Sequence, residues 1–177
     1  MKFAKPIVQT RYDSPLGIII IAATDQGLAG LWFDGQRHFP MELLAPTLVA
    51  SPWPHDPDHP VLQEVMRQLG EYFAGVRTAF DVPLDLAYGT AFQQSVWQAL
   101  LDIPPGGTTS YSEVSARIGK PAAVRAVGAA VGRNPVSIIV PCHRVMGANG
   151  ALTGYAGGLD RKSALLRLEG VHLEGAR

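Results

Sequence analysis

Six prolines fall between positions 40 and 60, at Pro40, Pro46, Pro52, Pro54, Pro57 and Pro60. Proline lacks a backbone N–H and fixes its own φ, so neither a long helix nor a central strand can cross that stretch. It separates a strand-rich opening from a helical remainder. Upstream, residues 7–12, 17–23 and 28–33 are rich in β-branched and apolar side chains. Two turn sequences divide them, Asp13-Ser14-Pro15-Leu16-Gly17 and Thr24-Asp25-Gln26-Gly27, which predicts an antiparallel meander. Downstream, Val61, Leu62, Val65, Met66, Leu69, Tyr72 and Phe73 form a helical stripe that begins after Pro60 and stops near Gly75. This half reads as a scaffold.

The rest of the chain changes character near residues 83–89, and the domain boundary is placed there: 1–85 as an N-terminal sheet-and-helix domain, 86–177 as a mainly helical C-terminal domain, α+β overall. Thr90 is a candidate N-cap for a helix through about Leu101, with Phe92, Val96, Trp97 and Leu100 on one face. Pro104-Pro105-Gly106-Gly107 ends it. Ser110-Tyr111-Ser112-Glu113 is a capping box for a short helix ending at Gly119. Pro121 then suits a first helical turn, and residues 122–132 are expected as the next helix. Two short helices joined by a tight Gly-containing turn read as a helix-turn-helix. In the second, Ala122, Ala123, Ala126, Ala129, Ala130 and Gly128 leave a surface almost free of side-chain bulk, able to approach a partner closely.

Composition narrows the class. Hydrophobic residues make up 47% and charged residues 17%, which fits a folded globule and excludes disorder. The longest apolar run, residues 18–23, is too short to span a bilayer, and the N-terminal residues carry no apolar segment of a signal peptide. A cytoplasmic protein without membrane attachment is expected. The single cysteine cannot form an internal disulfide, and no clustered Cys/His set offers ligands to a metal. The net charge of zero hides a split: residues 1–85 hold six bases against ten acids, residues 86–177 nine against five. A positive half attracts phosphates, while an acidic half discourages the wrong orientation.

The lone cysteine sits in Pro141-Cys142-His143-Arg144-Val145, after the apolar run Ser137-Ile138-Ile139-Val140, which reads as a buried strand. A thiol is a nucleophile only as thiolate, and needs a base or a positive neighbour to become one. A lone cysteine is ordinarily a small core residue. Its surroundings are more specific. Ser110-Tyr111, Arg125-Ala126-Val127-Gly128, Asn134-Pro135, the cysteine pentapeptide, Gly154-Tyr155-Ala156-Gly157-Gly158 and Leu168-Glu169-Gly170 follow in a fixed order. In order and spacing the chain resembles the O6-alkylguanine-DNA alkyltransferases, the suicidal methylated-DNA–protein-cysteine methyltransferases. The match covers about residues 89–170.

The resemblance implies direct reversal of O6-alkylguanine damage, and of O4-methylthymine, once per molecule and without cofactor or metal. Cys142 takes the alkyl group as a thioether. His143 is the base, acting through a water because adjacent residues of an extended chain point to opposite sides. Glu169 orients the histidine and stabilises it as it gains charge. Tyr111 donates to guanine N3 as negative charge develops there. Asn134 links the recognition helix to the cysteine strand. The target atom lies inside a duplex, so its base must leave the stack at a cost of about a few kcal/mol. Arg125 matches the arginine that fills the vacated space. Ser112, Lys120, Ala123, Ala126 and Ala129 join Tyr111 and Arg125 as DNA contacts. Val145, Tyr155, Ala156 and Gly157 line the pocket, where glycines permit close approach to a planar base. The implied partner is double-stranded DNA, gripped by a monomer through the minor groove with little sequence preference.

Two other classes stay open on the residues alone: a cysteine hydrolase using Cys142 and His143 on small esters or amides, and a non-enzymatic damaged-DNA binding module. The hydrolase would turn over, because water releases its acyl intermediate but not a thioether. The binding module resembles relatives that lack the cysteine, and Cys142 is present here.

Overall fold

The computed structural model describes residues 5–44 and 53–174. The chain divides into two compact units, Met1–Tyr88 and Gly89–Arg177. Pro46 and Pro52 lie outside the described residues.

In the first unit, β1 (Val8–Ser14), β2 (Gly17–Thr24) and β3 (Gly27–Phe33) form an antiparallel sheet in chain order. The register pairs Ser14 with Gly17 and Thr24 with Gly27, so two-residue loops close both hairpins. Both outer strands are covered by extended chain. Gln9 N donates to Pro54 O at 2.9 Å and Asp56 N to Gln9 O at 2.9 Å, while Leu28 N donates to Pro83 O at 2.8 Å and Asp85 N to Leu28 O at 2.8 Å. Covered edges cannot recruit another chain's strand. Among the described residues of the proline-rich stretch, Met41–Leu44 form a short helix, α1.

The stripe expected over residues 61–73 becomes α2 (Pro60–Phe73), with proline in its first turn. It buries Leu62, Val65, Leu69 and Tyr72 together with Gln68. Gln68 tolerates burial because its amide meets a backbone: Nε2 donates to Asp81 O at 3.0 Å and Oε1 accepts from Asp81 N at 2.9 Å. This pins the return segment to the helix. Trp32 lies flat over its own strand, where a Cβ at Gly30 would come within 1.8 Å of the ring.

In the second unit, α3 (Ala91–Leu101) starts at a capping box in which Thr90 accepts from Gln93 N. Its Val96, Trp97 and Leu100 are fully buried, each side chain stabilising the fold by about 1.5–3 kcal/mol. Trp97 Nε1 donates to Ala130 O at 2.9 Å, fastening α3 to α5 (Val124–Gly132). β4 (Thr109–Ser110) pairs in parallel with β5 (Val145–Met146), and Ser110 then caps α4 (Tyr111–Arg117) through its box with Glu113. The last helix is α6 (Leu159–Leu168). Among the described residues no helix is long and apolar enough to cross a membrane.

Two local expectations need correction. Helix α5 begins at Val124, not Ala122, because Pro121 sits inside a turn closed by Ala123 N to Lys120 O at 2.9 Å. Proline fits the second position of such a turn as well as it fits a first helical turn. Residues 137–140 are not a strand. They coil through successive turns, with Ile138 at φ 71° and Val140 N donating to Val136 O at 3.0 Å. A positive φ is costly for a β-branched residue and persists only where surroundings enforce it. Asn134 is the enforcing group, as its contacts show next.

Candidate active site

Cys142, His143 and Arg144 form a single 3₁₀ turn after the coiled stretch, and all three are buried. Asn134 holds this turn from behind. Its Nδ2 donates to Val140 O at 2.7 Å, and its Oδ1 accepts from Val136 N at 3.0 Å. One side chain thus closes the loop that delivers the cysteine. It also hydrogen-bonds the Cys142 side chain. Asn134 does more than the turn role an Asn-Pro pair suggests.

The turn replaces the extended chain expected at Cys142 and His143. Consecutive side chains on a 3₁₀ helix diverge by about a third of a turn. The two still point apart, for a different geometric reason.

His143 is fully enclosed, and its Nε2 lies 2.8 Å from Glu169 Oε1. Glu169 follows the last turn of α6, and its side chain is 3% exposed. A neutral imidazole facing a carboxylate donates from that nitrogen, so Nε2 carries the proton and Nδ1 the lone pair. Nδ1 is buried with no hydrogen-bond partner among the described residues. Burial depresses the basicity of His143, with Glu169 opposing that shift and the cations Arg144 and Lys162 adding to it. Burial likewise pushes the Cys142 thiol up, against Asn134, Lys162 and nearby backbone N–H groups, which favour the thiolate. Both shifts favour a neutral thiol beside a neutral imidazole at rest. Reaction therefore requires a proton to move.

Tyr111 is the first residue of α4, half-buried. Its hydroxyl pKa is raised, chiefly by burial and also by the Cys142 charge, while a hydrogen bond from Thr153 opposes the rise. Gly154, at φ 52°, keeps this region open: a Cβ there would stand 3.4 Å from the Tyr111 hydroxyl. Val145 is fully buried beside the cysteine turn, and Gly157 is buried while Tyr155 and Ala156 are half-buried.

Arg125, Ala126 and Ala129 are exposed on one face of α5, with Ala122 exposed in the turn before it, while Val127, Ala130 and Val131 turn inward. Ser112 and Lys120 are also exposed, and Ala123 is half-buried. These residues form a group apart from the enclosed Cys142–His143–Glu169 set.

Two buried cations escaped the sequence reading. Lys162, fully buried in α6, gives its three donors to the carbonyls of Val145 at 2.5 Å, Thr153 at 2.7 Å and Gly154 at 3.1 Å. That fastens the 153–158 loop to the cysteine turn. Burial pushes the amine down to about 8. The available signal was its spacing from Leu165 and Leu166, which puts a lysine on the apolar face of α6. Arg144, 6% exposed, forks onto Glu169 with Nε to Oε2 at 2.8 Å and Nη2 to Oε1 at 2.9 Å. Neither contributes a free positive charge to the surface, so the outer face is less basic than the residue count of this half implies.

Comparisons with known proteins identify the family. Residues 91–171 match the family model described as 6-O-methylguanine DNA methyltransferase, DNA binding domain, and residues 7–86 match the ribonuclease-like domain of the same family. The chain is 48% identical over 160 residues to a methylated-DNA–protein-cysteine methyltransferase of Mycolicibacterium paratuberculosis, covering 90% of each chain. A protein of the same description from Methanosarcina acetivorans is also 48% identical, over 90% of this chain and 96% of its own. Among solved structures, the O6-methylguanine methyltransferase of Mycobacterium tuberculosis superimposes with a TM-score of 0.79 at 48% identity, covering 92% of both chains. The OGT of that organism in complex with DNA gives 0.77 at 48% identity, over 92% of this chain and 91% of the other. The chain belongs to the 6-O-methylguanine DNA methyltransferase family.

Proposed function

We propose that this protein repairs DNA by direct reversal, moving the alkyl group of an O6-alkylguanine onto Cys142 in one irreversible step. The observation that carries the reading is the buried Cys142–His143–Glu169 constellation, with His143 Nε2 held 2.8 Å from Glu169 Oε1, in a chain of this family. His143 takes the thiol proton at Nδ1, relayed by water because the two side chains diverge. Glu169 then faces an imidazolium and stabilises it. The thiolate sulfur bonds the alkyl carbon as the carbon–O6 bond breaks. Negative charge left on the base is met by a proton from Tyr111 to guanine N3. The thiol proton returns through His143 and solvent to the tyrosinate, so atoms and charge balance. The product thioether does not hydrolyse, which makes each molecule react once.

DNA is the partner. The exposed small-residue face of α5, with Ser112 and Lys120 nearby, suits close approach to a minor groove, with α4 and α5 as the helix-turn-helix. Arg125 fills the space of the extruded nucleotide. The minor-groove code is degenerate, so binding is nearly indifferent to sequence, as lesions in any context require. The protein acts as a monomer in the cytoplasm, residues 1–85 serving as scaffold and 86–177 carrying DNA binding and chemistry. Val145, Tyr155, Ala156 and Gly157 line the alkylguanine pocket.

Intact-mass measurement tests the reaction. Incubation with an O6-methylguanine duplex adds one methyl to the protein permanently, on the tryptic peptide that holds Cys142. Repeated turnover without mass gain would identify a hydrolase, and tight binding without either a pure recognition module.

A further inference from the structure

Arg144 has no part in the steps above, yet three hydrogen bonds hold its charge inside the site. Its Nε and Nη2 occupy both oxygens of Glu169, and Nη1 donates to Ile103 O at 2.5 Å. Glu169 Oε1 thereby serves two donors, Arg144 Nη2 at 2.9 Å and His143 Nε2 at 2.8 Å. Two consequences follow from that sharing. The fork fixes the carboxylate in plane and position, so the imidazole is aimed by a rigid acceptor. The guanidinium also neutralises the carboxylate's charge, which would otherwise draw a second proton onto the ring.

We propose that Arg144 is a positioning residue for alkyl transfer: by clamping and neutralising Glu169 it keeps His143 an uncharged, fixed base that can take the Cys142 proton through the water relay. A lone buried carboxylate beside a histidine favours imidazolium, and an imidazolium cannot accept the thiol proton. With Arg144 present, Glu169 orients the ring at rest and stabilises its charge only as reaction develops. The other groups facing His143 do not substitute for it. Lys162 of α6 also opposes protonation, but its donors are committed to the carbonyls of Val145, Thr153 and Gly154. Cys142 is neutral at rest. The direction of the His143 shift, with Arg144 among the groups that lower it, agrees. The proposal rests on the alkyl-transfer reading, but its central measurement does not require activity.

The test follows the His143 imidazole by NMR across pH in the full chain and in Arg144→Met and Arg144→Lys, with single-turnover methyl transfer from an O6-methylguanine duplex run in parallel. In the parent, His143 stays neutral to below its ordinary value of about 6.5. In Arg144→Met it titrates at least about one unit higher, and transfer falls about tenfold at acidic pH while recovering at alkaline pH. Arg144→Lys keeps the charge but loses the fork, so the titration stays low and the rate falls evenly across pH. A parent His143 that protonates at or above 6.5 overturns the proposal even if Arg144→Met does not fold. So does an Arg144→Met protein whose rate loss is the same at every pH, which would reduce Arg144 to packing. Failure of methyl transfer in the parent would instead sink the reaction, leaving the titration result standing.

Discussion

Arg67 on α2 bridges Glu64 at 2.6 Å and Glu71 at 2.5 Å in open solvent, while Arg144 in the cysteine turn bridges Glu169 at 2.8 Å with both side chains enclosed. The two arginines have similar partners and similar distances, and opposite consequences. An exposed pair gains little, because water and salt screen it and two long side chains lose freedom. A buried pair is bound into its surroundings: removing one member strands the other without solvent. In the N-terminal unit Arg67 and its two partners lie on the outer face of a regular helix. The C-terminal unit concentrates irregular backbone and buried charge at one turn, the turn to which the chemistry is assigned by proposal.

The largest effect expected is on transfer itself. Cys142→Ser should abolish methyl transfer while DNA binding and urea stability stay near parent values, since the side chains are close in size. Intact mass after incubation with alkylated duplex checks the first, and a binding isotherm the second. Methylation of the serine variant would break the assignment of chemistry to that turn.

Next comes stability. Glu169→Ala leaves Arg144 buried without its carboxylate, and should lower unfolding free energy by about 3–5 kcal/mol, read from urea titration. Arg67→Ala should leave the urea midpoint unmoved. Equal shifts for the two would erase the distinction between exposed and enclosed pairs that the comparison draws.

The smallest effect separates the two groups within the C-terminal unit. Arg125→Ala should slow repair of a duplex by roughly tenfold, about 1.4 kcal/mol and so only part of an unstacking cost of a few kcal/mol, yet leave reaction with free O6-benzylguanine nearly unchanged. Competitive single-turnover rates on the two substrates decide it. Equal losses would make Arg125 part of the enclosed site instead of the exposed face.

Much of the fold was legible along the chain. Turn residues divide the three strands, Pro60 opens α2, and the cap at Thr90 and the box at Ser110–Glu113 open α3 and α4. Such signals are local: a cap or a turn acts within four residues, so neighbours in sequence suffice to state them. Residues 137–140 misled because a short apolar run looks the same whether it is a strand or a buried coil. What makes it coil is Asn134 reaching Val140 across six positions. Pro121 misled for a related reason, since one fixed φ suits both a turn and a helix start.

The sequence by itself determined the strands, the caps, the proline break and the order of the site motifs, because each depends on residues within a few positions of one another. Only the tertiary structure decided which nitrogen of His143 carries its proton, and that Arg144 and Lys162 lie inside. Those outcomes depend on side chains brought together from 25 positions away at Glu169 and 17 at Lys162. A charge's worth is set by the solvent and partners around it, and neither is written in its neighbours along the chain.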